Sequence, residues 1–279
     1  MTSSQGRIAR AVTREIEAGL QSEDPDDFEL ASDKLETYSP RVRVGLRLAR
    51  ILGTVMLSAR NSWFRERAAI AMSAVATYPC VRYLLDALKA DDARVRSHAT
   101  EGLARIRAAT AIPALRRALR DCDDEVRHSA VHALAATPGG LTRTALRGAL
   151  RDSSEHVRLA GVWAVRPLAR AHVLPDGVAR SMLTALARAD SSDLVRVTST
   201  IELLDANAVG SDPVMLCAFL GSQHPFVRQR ARGWLVRHVR PDLAPRVLEH
   251  LATRRGDTLP TSEARQVVRA FRRAACERW

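Results

Sequence analysis

The stretch DCDDEVRHSAVHALAA, residues 121–136, decides the fold. Taking Val126 as position zero, Ala130 falls at four and Leu134 at eight, so an apolar, a small and an apolar residue share one helical face. The same pattern is written six times, opening at Phe64-Arg65, Val95-Arg96, Val126-Arg127, Val157-Arg158, Val195-Arg196 and Val227-Arg228. The intervals are 31, 31, 31, 38 and 32 residues. Position four is Ala68, Ala99, Ala130, Gly161, Ser199 and Ala231; position eight is Met72, Leu103, Leu134, Val165, Leu203 and Leu235. Small residues let a neighbouring helix approach and large ones fill the space beside it. Self-similarity at this period is the mark of a solenoid.

A second helical run precedes most copies, as in AIPALRRALRD before Asp123 and GVARSMLTALARAD before Ser191. Each repeat therefore reads as two antiparallel helices joined by a short acidic turn. Asp121, Asp152 and Asp190 sit six residues before Arg127, Arg158 and Arg196. With these turns the chain resembles the HEAT-like repeat family, in its short phycobilisome-lyase-type form, over roughly residues 60–253. The resemblance implies a ladder of Asp–Arg ion pairs along the stack. Asp91 is one place off this register, and Ala59 and Ser222 replace the Asp in the end repeats. The expected fold is all-α, a right-handed α-solenoid of about six helix pairs with N- and C-terminal caps.

The first 61 residues do not keep the period and read as three capping helices, about 5–21, 26–37 and 40–60. Residues 62–253 form the repeats, and 254–279 end in a basic closing helix with Thr261 or Ser262 as its cap. The long interval after Val157 places extra residues in RPLARAHVLPDG, where Pro167 is expected to kink or stop the helix.

The net charge is +12, and Lys34 and Lys89 are the only lysines. Residues 1–61 are neutral, whereas 223–279 hold 13 basic against 5 acidic side chains. Arginine enrichment can follow from a GC-rich genome, but this concentration also suits an acidic partner. Arg230, Arg232, Arg237, Arg265, Arg269, Arg272 and Arg273 are the expected contacts. No long apolar run and no signal-peptide core occur, so a cytoplasmic location without membrane attachment is expected. Cys80, Cys122, Cys217 and Cys276 have no paired spacing and read as small buried thiols.

His98, His128 and His132 are weak metal-ligand candidates by their helical spacing, with Glu101 nearby. Glu does not directly follow His128, as a zinc-protease motif needs. None of the eight histidines is followed by Glu, so the His-Glu dipeptides of HEAT-like deoxyhypusine hydroxylases are missing. No metal and no other cofactor is expected.

Position seven is Ala71, Gly102, Ala133 and Ala164 in four repeats, then becomes Glu202 and Trp234. Trp163 stands on the neighbouring repeat helix. Two indoles and a carboxylate suit a cationic ligand, and the trio is loosely similar to the basic concavity of HEAT-like alkylpurine DNA glycosylases. The competing structural account has the tryptophans filling space and Glu202 pairing with Arg166 or Arg237. The sequence thus favours a non-catalytic scaffold that docks an acidic protein or a nucleic acid on its inner and C-terminal surfaces. The alternative is a glycosylase-type DNA-binding protein in which Glu202 is catalytic and Trp163 and Trp234 contact a damaged base.

Overall fold

The computed structural model describes residues 3–38, 45–206, 212–238, 240, 242–253 and 262–276. Among these residues the chain is helical throughout, with no strand. It forms two compact units, 1–149 and 150–279.

The first unit holds α1 (Ser3–Gly19), α2 (Pro25–Tyr38), α3 (Leu46–Ser58), α4 (Ser62–Val75), α5 (Val81–Ala87), α6 (Ala93–Ile106), α7 (Ile112–Ala118), α8 (Asp124–Ala136) and α9 (Arg143–Ala149). The helices α3, α5 and α7 pack on α4, α6 and α8 respectively, while α4 packs on α6 and α6 on α8. The capping helices α1 and α2 pack together, and α2 lies on α4. The three expected N-terminal helices are present, although the stretch 39–44, where the third was expected to begin, lies outside the described residues.

The second unit holds α10 (Glu155–Arg170), α11 (Asp176–Ala189), α12 (Asp193–Asp205), α13 (Pro225–Arg237), α14 (Ala244–Thr253) and α15 (Ser262–Cys276). A nine-residue 3₁₀ helix, Pro213–Gly221, takes the place of a first helix ahead of α13. Contacts run from α10 to α12, from α12 to α13, and from α13 to α15. The closing helix α15 therefore continues the row of second helices, paired with α14. Of its two expected caps, Thr261 lies outside the described residues with the segment 254–260, and Ser262 is the first residue of the helix.

The repeat pattern becomes the core. Val95, Val126, Val157, Val195 and Val227 are buried, as are all six residues at position four and all six at position eight. Gly161 shows why position four stays small. A Cβ there would lie 2.8 Å from Leu150 Cδ2 and 3.3 Å from the Leu150 backbone nitrogen.

Two local expectations are corrected. Pro167 neither stops nor ends α10, which runs three residues further to Arg170. A proline in the last turn removes only one ladder bond. The helix then closes through His172 in the left-handed region (φ 56°), with the Val173 and Leu174 amides donating to the Leu168 carbonyl. Cys122 is exposed, because it sits in the turn between α7 and α8, whereas Cys80 and Cys217 are buried. The Cys276 side chain lies outside the described residues.

Candidate functional site

The turns before the second helices are built alike. Asn61, Asp92, Asp123 and Ser192 each accept a backbone N–H from the first turn of the helix that follows. Each stands three residues before position zero, the place of an N-cap. Two residues earlier, Asp121, Asp152 and Asp190 accept the amides of Asp123, Ser154 and Ser192 at 3.0, 2.9 and 2.8 Å.

The six-residue spacing between turn and arginine is a backbone relationship. Arg127 Nη1 donates to the Asp121 and Cys122 carbonyls at 3.0 and 3.2 Å. Arg158 does the same to Asp152 and Ser153, and Arg228 to Ser222 and Gln223. Arg196 donates to the Asp190 carbonyl at 3.2 Å. The carboxylates of Asp121 and Asp190 instead face the arginine of the preceding repeat. Arg96 grips Asp121 through Nε and Nη2 at 2.9 and 2.7 Å. Arg158 grips Asp190 the same way, at 2.9 Å twice. Arg96 also holds the Ala90 and Asp91 carbonyls, so each of these arginines braces its own turn and ties its repeat to the next. The Asp121 hydrogen bond holds Arg96 above its ordinary value. At the far end the pattern is improvised: Arg196 pairs with Asp193, which also accepts the Ser222 hydroxyl at 2.8 Å, and Arg228 Nε lies 3.6 Å from Glu263 of α15.

Trp163, Glu202 and Trp234 lie on α10, α12 and α13, and Glu202 is joined to Trp234 through Arg166 and Asp205. Glu202 is bonded to Arg166 at 2.8 Å and its side chain is 15% exposed. Arg166 also reaches Asp205 at 3.0 Å. Asp205 in turn accepts the Trp234 indole N–H at 2.6 Å. The Trp234 ring is buried and stacks on His238, centroids 4.2 Å apart. Trp163 is 40% exposed. Burial pushes Glu202 above the usual carboxylate range, opposed by Arg166 and reinforced by Asp205. Asp205 and His238 complete this network, and sequence reading missed both. Asp205 was legible as the residue three past Glu202 on the same face, and His238 as the residue four past Trp234.

The basic residues separate into two groups. Arg230 is half-buried, 5.9 Å from the Phe226 ring centroid, and its pKa is lowered by burial. Arg232 is half-buried and donates to Gln266. Arg237 Nε turns back to the Gly233 carbonyl of its own helix at 2.9 Å and is exposed. On α15, Ala264, Val267 and Phe271 are buried, while Arg265, Arg269, Arg272 and Arg273 are exposed. These four have no acidic partner among the described residues.

In the first unit His98 Nδ1 lies 3.2 Å from Glu101, and the His128 and His132 rings meet edge-on at 4.7 Å. The His98 hydrogen bond holds Glu101 low, and burial lowers His132. Among the described residues no three His, Cys, Asp or Glu side chains are placed to share a metal ion. No helix among them is long and apolar enough to cross a membrane.

Helix pairs, buried small residues and arginine-capped turns define a class, the helical-repeat proteins. Residues 49–135 match the family of HEAT repeats. YibA of Escherichia coli is similar in structure at 16% identity and a TM-score of 0.55, covering 98% of each chain. The complex of CpcE and CpcF of phycocyanin lyase from Nostoc is similar at 17% identity and a TM-score of 0.49, covering 93% of each chain. No curated protein matches the sequence.

Proposed function

We propose that this protein is a non-catalytic HEAT-repeat scaffold that docks an acidic protein partner in the cytoplasm, using the C-terminal face of its second unit. The observation that carries this reading is α15. Its apolar side is buried on the unit, and its other side presents four exposed arginines that the described residues do not neutralise. A one-signed, unsatisfied face of this kind speeds encounter with an oppositely charged partner and selects against wrong ones. Arg232 of α13 is tied to α15 through Gln266.

The glycosylase-type alternative asks Glu202 to meet a cationic base between two indoles. The Arg166 bond to Glu202 and the Asp205 bond to Trp234 favour a structural role for these residues instead. The test is a pull-down with the full chain beside an Arg269→Glu/Arg273→Glu chain, eluted by salt and read by mass spectrometry and nucleic-acid detection. An acidic protein retained only by the native chain is expected. Retention of nucleic acid with no protein would replace the acidic protein by a polyanion. Identical eluates from the two baits would remove the docking reading.

A further inference from the structure

The first unit carries a groove that the docking face on α15 does not involve. It has a volume of about 1110 Å³ and lies among the turn after α1, the buried face of α2, the length of α3 and the start of α4. Its walls run along α3 from Arg47 to Ala59. That span corresponds to about 18 Å at the helical rise. A cavity so extended has the dimensions of a peptide segment, about twelve residues if helical or five to six if extended, more than of a compact metabolite.

Its chemistry is two-sided. Ile51, Val55 and Phe64 are half-buried and give an apolar floor. Arg47, Arg50 and Thr54 fall at i, i+3 and i+7 on α3 and are exposed along one rim, with Arg60 exposed at the far end. Leu57, 41% exposed, continues the stripe of Arg50 and Thr54 beyond the groove. Arg47 leans on Glu17 at 3.2 Å. Arg50 and Arg60 have no acidic partner among the described residues, and Glu23 is the one carboxylate in the lining. An apolar floor under a positively charged rim complements a segment that alternates apolar anchors with Asp or Glu.

We propose that this groove is a second docking site, and that it takes an acidic amphipathic peptide segment of a protein partner. The partner lays Leu- or Phe-type anchors on Ile51, Val55 and Phe64 and sets its carboxylates against Arg50 and Arg60. This site is independent of the α15 face, and either can stand without the other.

The test is selection of a randomised display library of peptides about twelve residues long, the length of the helical segment above, on the full chain. Individual labelled clones are then titrated by fluorescence anisotropy. Clones are expected to be enriched in Asp and Glu beside Leu, Phe or Trp. They should weaken about ten-fold or more against Arg50→Glu/Arg60→Glu, where rim attraction becomes repulsion. Thr54→Trp, an exposed position whose new ring fills the groove, should weaken them as well. Both variants should keep the helical circular dichroism and melting of the native chain. Arg269→Glu/Arg273→Glu should bind the clones as the native chain does. The inference is overturned if no acidic clones emerge or if they bind the two groove variants undiminished. It is also overturned if only the α15 variant loses them, a result that would leave the α15 docking reading intact.

Discussion

Arg158 and Asp190, thirty-two residues apart in sequence, form a two-point ion pair whose side chains are 11% and 5% exposed. The same guanidinium also holds the Asp152 and Ser153 carbonyls in the turn between α9 and α10. Removing the arginine strands a buried carboxylate and two carbonyls at once. Arg158→Ala should therefore cost about 3–5 kcal/mol, whereas removal of the exposed Arg120 should cost almost nothing. Thermal or denaturant unfolding of the two variants checks this, and equal losses would refute the assignment.

The Arg96–Asp121 pair makes stability depend on acid. Burial raises Asp121, but the Arg96 bond and the Asp123 amide outweigh it and leave the group below its ordinary 3.8. A depressed carboxylate contributes stability above its unfolded value and loses it as pH falls through the folded one. Native stability should decline below about pH 4, and Asp121→Asn should show a shallower decline from a lower plateau. Urea titrations between neutral and acid pH measure both curves.

Glu202 has the opposite sign. Its folded value is raised, chiefly by burial. The protonated form is therefore favoured by folding, and that contribution is lost as pH rises from 4.5 through the folded value. Glu202→Gln should remove this loss and change neutral-pH stability by no more than about 1 kcal/mol, since Arg166 keeps Asp205. Asp205→Ala should be worse, about 1–3 kcal/mol, because it leaves the buried Trp234 indole N–H without its acceptor. The ranking of these two variants in equilibrium unfolding is the readout; a more damaging Glu202→Gln would contradict it.

Two glycines separate packing from chain entropy. Gly161→Ala drives a methyl into Leu150 and should destabilise by about 1–3 kcal/mol. At Gly148, inside α9, a Cβ would meet nothing within 4 Å. Gly148→Ala should stabilise by about 0.4–1 kcal/mol. Calorimetric midpoints moving in opposite directions are expected.

The α15 face predicts a salt signature. Arg269→Glu/Arg273→Glu should slow association with the captured acidic partner about ten-fold at low salt and much less at high salt, because exposed charges act mainly on encounter. A change confined to dissociation would mean these arginines are a packed contact and not a steering surface. Were the partner a nucleic acid, log affinity would fall with log salt by about 0.9 per phosphate neutralised.

The sequence by itself determined the helix pairs, their period and the buried column at positions zero, four and eight. These depend on spacings within one helix, which backbone geometry converts directly into a face. The N-cap column at Asn61, Asp92, Asp123 and Ser192 was equally local, yet at Asp123 and Ser192 it was hidden by the more conspicuous aspartates two places earlier. Only the tertiary structure decided where those aspartates point. Asp121 and Asp190 lie six residues from the arginine of their own repeat, but 25 and 32 residues from the ones they bind. Stacking brings the distant guanidinium to the carboxylate, while the near one is occupied by backbone carbonyls. The same holds at Glu202. Sequence placed it beside two indoles and named Arg166 or Arg237 as partners, and packing chose Arg166 because Arg237 folds back on its own helix. Ion pairs between repeats depend on how one helix seats against the next, and no spacing along a single helix encodes that.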